Sequence, residues 1–238
     1  KIDRDNKKVH LQSGEKIDYT KLVIAIGSKA KKAPLSDCDN YSNAYYLRNL
    51  HDAKNLKNQL QTGKKILIIG GGYLGLVVGL VFSLFCMYKT VVVGADRILK
   101  RVAGEPTAAY FRKIFSIKGV KIIENDFVKK INNTESEVTN VELVSGRLID
   151  MDTLLVATGG YPEVDLARDA KLQIENGIRV NERLETSDPS IYAAGDCASF
   201  NHNGGFVRLE SVGNAIDQGQ TVALNIAGKK TNFNAKPW

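Results

Sequence analysis

"KKILIIGGGYLGLVVGLVFSLFCMYKTVVVG", residues 64–94, admits two readings, and choosing between them decides the fold. Ile66 to Tyr88 is 23 residues without a charge, long enough for a membrane-spanning helix. Gly70, Gly71 and Gly72 interrupt it, and consecutive glycines weaken a helix strongly. The "ILII" before them is a short apolar run typical of a buried parallel strand, and "TVVV" after Lys89 is a second. The stretch therefore predicts strand, glycine turn, helix and strand in place of a membrane span.

Gly70-x-Gly72-x-x-Gly75 follows a strand and opens a helix, the context that gives this otherwise weak pattern meaning. Gly70 permits the tight turn, Gly72 lets backbone approach a pyrophosphate, and Gly75 lets helix and strand pack closely. The helix-start amides and the positive end of the helix dipole favour an anion there. With Tyr73 and Leu74 in the first turn, these residues form the candidate dinucleotide cradle, and Gly79 extends the close contact.

Working outward, "KKVHLQSGEKIDYTKLVIAIGS" reads as a strand, a Ser-Gly turn, a strand and then a buried strand. Residues 48–62 place Leu50, Ala53, Leu56 and Leu60 on one helical face, with Gly63 as the stop. "EPTAAYFRKIFSIKG" is a further helix with Pro106 at its start. Four strand patterns follow, "VKIIEN", "FVKKINN", "TNVELVS" and "LIDMDTLLVATGG", the last ending in Gly159 and Gly160. "GIRVNERLETSDPSIYAAGDCAS" gives two strands around a turn. The helix after it has a close-packing face of Val212, Ala215, Ile216, Gly219, Val222, Ala223 and Ile226. The class is α/β.

Composition excludes several functions. With 43% apolar and 25% charged residues among 238, the chain is ordinary for a globular protein with a substantial core. The net charge of +7 is scattered and no nucleic-acid motif accompanies it, so a solvated surface is the expectation. Cys38, Cys86 and Cys197 lie far apart, and His10, His51 and His202 are unclustered. Neither a disulfide framework, a zinc site nor a dithiol redox centre is expected. No signal peptide opens the chain, and a cytoplasmic address is the expectation.

Three stretches carry a family resemblance. "KLVIAIGSKAKKAP", with Ala25, Ile26 and Gly27, resembles the strand usually written A-T-G in FAD/NAD-linked reductases. "TSDPSIYAAGDCASF" resembles the second flavin-binding signature, with Gly195 and Asp196 at its core. "VRLESVGNAIDQGQTVALNIAGK", followed by "PW", is similar to the flavin-facing helix of ferredoxin reductases of the putidaredoxin and rubredoxin reductase type. The resemblance covers nearly the whole chain in the family's order. It implies a three-layer Rossmann-like NAD(P)-binding domain, residues 45–165, inserted in a partial FAD-binding Rossmann-like domain, residues 1–44 and 166–238. It further implies an oxidoreductase passing hydride from NAD(P)H to FAD and then electrons to a ferredoxin- or rubredoxin-like iron–sulfur protein. The chemistry would belong to the cofactors, so no residue is assigned as catalytic. The helix from 210 would direct its dipole at the flavin, with Glu210, Ser211 and Val212 close to the ring.

The sequence also departs from that family. It begins inside the meander and ends at Trp238, so it looks truncated at both ends, with an incomplete flavin site. Val77 stands where relatives place a glutamate beside the nicotinamide. Gly94 stands where an acidic residue would accept the ribose hydroxyls of NAD. Asp96 offers a substitute, Arg97, Lys100 and Arg101 offer a partner for a 2′-phosphate, and all four also read as solvated charges. A non-catalytic dinucleotide-binding module is the rival reading.

Overall fold

The computed structural model describes residues 1–32, 38–85 and 88–235. Pro34 and the "PW" pair, Pro237 and Trp238, lie outside the described residues, as does Cys86. The chain forms two compact units, Lys1–Lys29 with Tyr161–Trp238, and Ala30–Gly160.

The first unit begins with the antiparallel meander of β1 (Ile2–Asp3), β2 (Lys8–His10) and β3 (Lys16–Asp18). Gly14, with φ +87°, makes the Ser-Gly turn between β2 and β3. The buried strand β4 (Leu22–Ile24) follows, and β5 (Ser28–Ala30) leads out of the unit.

The second unit is built on a five-stranded parallel sheet. Its strands are β6 (Ala44–Tyr46), β7 (Lys65–Ile69), β8 (Tyr88–Val93), β9 (Val120–Glu124) and β13 (Thr153–Val156), in the order β6-β13-β7-β8-β9. The two-residue alternation along β7 sorts its side chains. Ile66 and Ile68 join a core with Leu76, Phe82 and Phe115, whereas Leu67 joins Val92, Leu154 and Val141 on the other face. Three helices supply the first of those layers, α1 (Leu50–Lys57), α2 (Tyr73–Phe82) and α3 (Glu105–Ile117). An antiparallel sheet of β10 (Val128–Asn133), β11 (Val138–Leu143) and β12 (Leu148–Asp150) supplies the second. Buried Asn43 ties the two sheets together, exchanging 2.8 Å hydrogen bonds with the backbone of Val138 and donating to Asp152 O at 3.0 Å.

The glycine stretch is thus a strand, a turn and a ten-residue helix, and among the described residues no helix is long and apolar enough to cross a membrane. Two expectations for this second unit's elements need correction. Leu50 does not join the buried face of α1: it is the first helical residue and 71% exposed, with Leu56 carrying the contact. "LIDMDTLLVATGG" is two strands, because β12 pairs antiparallel with β11 while β13 lies parallel between β6 and β7.

The chain re-enters the first unit through β14 (Gly160–Pro162) and the short helix α4 (Asp165–Asp169). Strands β15 (Ile178–Val180), β17 (Ala198–His202) and β18 (Gly205–Val207) form one sheet. Strand β16 (Ile191–Ala193) pairs parallel with β4. The unit ends with α5 (Val212–Ile226). Of the apolar face the sequence suggests, Val222 is buried, but Val212 is 78% exposed and Ile216 and Ile226 are exposed, and the other buried residues of α5 are the polar Asn214, Gln218 and Thr221. Polar side chains win this face because they satisfy backbone groups that would otherwise be buried unpaired. Gln218 accepts from the Gly195 N–H at 2.7 Å, and Asn214 donates to Leu209 O at 2.9 Å.

Candidate functional site

Strand β7 delivers Gly70 to the carboxyl edge of the parallel sheet, where its N–H donates to Val92 O at 2.8 Å. Its φ of +123° is closed to most side chains, and a Cβ there would lie 2.2 Å from Ala157 O. Gly75 is equally constrained, since a Cβ would meet Gly70 O at 2.1 Å. Gly71 packs against the methyls of Val93. Gly79 is less demanding than expected: a Cβ would find ordinary contacts at 3.5 Å and beyond.

Gly72 differs from all of these. It caps α2 in extended conformation, and a Cβ there would meet nothing within 4 Å. No side chain caps the helix, so its first-turn amides have no intrahelical or capping partner. Tyr73, Leu74 and Gly75 carry three of these amides. Bare backbone, an uncapped helix start and open space in front form a cradle suited to a phosphate anion. Gly159, with φ +106°, follows the neighbouring strand β13, and its carbonyl accepts from Lys31 N–H at 2.8 Å. Gly160 follows directly. The turn and this glycine pair therefore flank the boundary between β7 and β13, where the strand order reverses and ligands of such sheets bind.

The second cluster lies within the first unit. Gly27, φ +70°, follows β4, and Gly195, φ +79°, follows β16. Asp196 Oδ2 accepts from Ser28 Oγ at 3.1 Å, and Arg208 donates to Asp196 O at 3.1 Å while pairing with Glu210. Ser211 caps α5, its Oγ accepting from Asn214 N–H at 3.2 Å. A groove of about 430 Å³ runs along Val23, Ala25, Gly27, Gly195, Asp196 and Ala215. A larger depression of about 680 Å³, lined by Arg179, Arg183 and Phe206 among others, lies elsewhere on the unit. Its cations are already engaged, Arg179 on the Phe206 ring and Arg183 on Glu185.

The sequence pattern of the family described as Pyridine nucleotide-disulphide oxidoreductase matches residues 1–219. The chain belongs to this family. Putidaredoxin reductase CamA of Pseudomonas putida is 35% identical over 243 residues, which cover 100% of this chain and 58% of that protein. Rubredoxin-NAD(+) reductase of Pseudomonas putida is 35% identical over 232 residues, covering 97% of this chain and 60% of that protein. A solved covalent putidaredoxin reductase–putidaredoxin complex matches with a TM-score of 0.94 and 36% identity, covering 100% of this chain and 58% of that one. The chain therefore has the mixed α/β fold of FAD/NAD oxidoreductases and spans well under two thirds of these relatives.

Within that family frame the loop after β8 is committed to its own folding. Asp96 accepts from Lys100 at 3.0 Å, which holds its carboxyl below the usual range. Arg97 donates to Ala103 O at 2.7 Å and lies 3.8 Å from Glu105. Leu99, at φ +54°, donates its N–H to Gly71 O at 2.9 Å, so the loop braces the glycine turn from outside. Glu124 accepts from Ile98 N–H at 2.7 Å and from Arg112 at 2.9 Å. Val77 is 54% exposed on α2 and presents only methyls. Cys197 is buried with its thiol directed at Ala194 O, 3.3 Å away, and burial pushes its pKa up. Such a thiol is inert, and among the described residues no cluster could hold a metal ion.

Sequence reasoning missed three contributors. Ser28 and Gln218 are polar residues in family-like stretches whose partners only the fold reveals. Phe127 carries no motif at all, yet its ring covers Gly94.

Proposed function

We propose that this chain has the function of an NAD(P)H-dependent flavoprotein reductase that passes electrons to a small iron–sulfur protein. The observation carrying this reading is the Gly72 cradle, with open space before an uncapped helix start. The chain's likeness to a putidaredoxin reductase and a rubredoxin-NAD(+) reductase supports the direction of the chemistry. We assign the nicotinamide dinucleotide to the inserted domain, residues 45–165, and the flavin to the flanking segments, residues 1–44 and 166–238. A cytoplasmic setting fits the dispersed cysteines.

The residues present fit both cofactors. The amides of Gly72 to Gly75 would hold the pyrophosphate of NAD(P)H, with Gly159 and Gly160 flanking the crevice. The small walls of Gly27 and Gly195 would admit a flavin's chain, and Asp196, steadied by Ser28, would accept one of its hydroxyls. The α5 N-terminus, with Glu210, Ser211 and Val212, would place positive dipole near the flavin ring. When bound, the flavin supplies two-electron acceptance and one-electron release, which no side chain here can supply. The protein's own work is binding, orientation and exclusion of water.

Two measurements on the purified chain test this. Titration calorimetry with NADH is expected to give saturable binding, and the purified protein is expected to carry a visible flavin absorption band. Saturable binding by colourless protein that takes up no added FAD would favour the non-catalytic module. Absence of both would reject the reading.

A further inference from the structure

Gly94 follows β8 at the carboxyl edge of the sheet, one strand over from the glycine turn. A Cβ placed on it would lie 2.3 Å from Cε1 and 2.6 Å from Cδ1 of Phe127. The ring therefore occupies the position from which a side chain at residue 94 would project. An acidic side chain here and the ring in its observed place exclude each other.

Phe127 is 61% exposed, so it is not buried as core. Its backbone is nonetheless pinned. Asn125 N–H donates to Ala95 O at 2.8 Å, Asp126 N–H donates to Val93 O at 3.2 Å, and Phe127 O accepts from Val144 N–H at 2.8 Å. The buried Asp126 carboxylate accepts from Ser145 Oγ at 2.6 Å and from Ser145 N–H at 3.2 Å. A turn anchored on both sides thus presents an open aromatic surface beside the cradle's strand. The carboxylates of the segment from β8 to β9 are engaged: Asp96 with Lys100, Glu105 with Arg112, and Glu124 with Arg112 and Ile98 N–H.

We propose that Phe127 is the platform on which the adenine of the bound dinucleotide stacks, taking over at this end the role a ribose-reading carboxylate would have. The inference rests on the dinucleotide reading of the cradle. Stacking uses the face of the base and makes no contact with the 2′ position. Stacking by itself therefore gives no preference between NADH and NADPH.

The test is calorimetry on the whole chain with NADH, NADPH, ADP-ribose and, lacking adenine, nicotinamide mononucleotide. Phe127→Ala is expected to weaken the three adenine ligands by about tenfold each and leave the mononucleotide unchanged, while Phe127→Tyr retains wild-type affinity. Gly94→Glu alone must displace the ring and is expected to weaken NADH, whereas Gly94→Glu with Phe127→Ala regains NADH affinity selectively over NADPH. Thermal melts show whether each variant is folded, which the exposure of Phe127 favours. Unchanged or tighter NADH binding by folded Phe127→Ala overturns the platform and leaves the cradle standing. No dinucleotide binding by the wild-type chain overturns the cradle reading and this inference together.

Discussion

Two glycine turns that follow strands, at Gly70–Gly72 and at Gly195, use their backbones in opposite ways. At Gly70–Gly72 the amides of the following helix start have no side-chain cap, and the space before Gly72 is open. At Gly195 the N–H is already taken by Gln218, and the groove beside it offers small side chains and the Asp196 carboxylate. In the function proposed above, the first turn would meet an anion through main-chain donors, and the second, its N–H already bonded to Gln218, would accept hydroxyls through the Asp196 carboxylate. A shared residue type, glycine at a positive φ, therefore says little about what a turn binds; the fate of its amides says more.

Steric demand separates the turns most sharply. Gly70→Ala would drive a Cβ to 2.2 Å from Ala157 O at φ +123°, and we expect a loss of about 3 kcal/mol or more in urea unfolding. Gly195→Ala meets only the Ala215 Cβ, at 3.6 Å, so its loss is expected near the about 1–2 kcal/mol of a left-handed alanine. Equal losses would erase the distinction.

Binding should then follow the open amides. Gly72→Val places its branches where nothing else lies, and NADH affinity is expected to fall by about 100-fold, roughly 2.7 kcal/mol. Its stability should change by no more than about 1 kcal/mol, the scale of a weak N-cap change. Unaltered calorimetric binding would remove the pyrophosphate from this position. Gln218→Ala should cost about 2 kcal/mol in the same urea assay, because it leaves the Gly195 N–H without its acceptor.

Much of this was readable in advance, and the limits have physical causes. The break at Gly70–Gly72 was legible because glycine has no side chain to hide behind and its effect on helix and strand is local. The helix at 105 was legible from Pro106, which acts within one turn. The inward face of α5 was not, since Asn214 and Gln218 read as surface residues until the backbone groups they serve are seen. The split of "LIDMDTLLVATGG" was hidden because β12 and β13 belong to different sheets, a choice made by distant partners. Gly94 was legible as a departure, but the Phe127 ring that covers it lies 33 positions along the chain and gives no local signal of that contact.

The smallest effect concerns the anchor of that ring. The Ser145 hydroxyl, ahead of other causes, holds the Asp126 carboxyl below its usual range. A depressed folded pKa gives stability that is present above the unfolded value of about 4 and is lost as pH falls through the folded value. Asp126→Asn should therefore flatten the decline in urea midpoint as pH falls below about 4, relative to wild type. An unchanged slope would mean that Asp126 contributes nothing to the acid limb.

The claim on which the account rests is that amides at the start of α2 meet a nucleotide phosphate, and backbone NMR tests it most directly. On titrating the isotope-labelled chain with NADH, the amide resonances of Gly72, Tyr73, Leu74 and Gly75 are predicted to shift most, and together, along one saturation curve. Saturable binding that leaves those four resonances in place would contradict it.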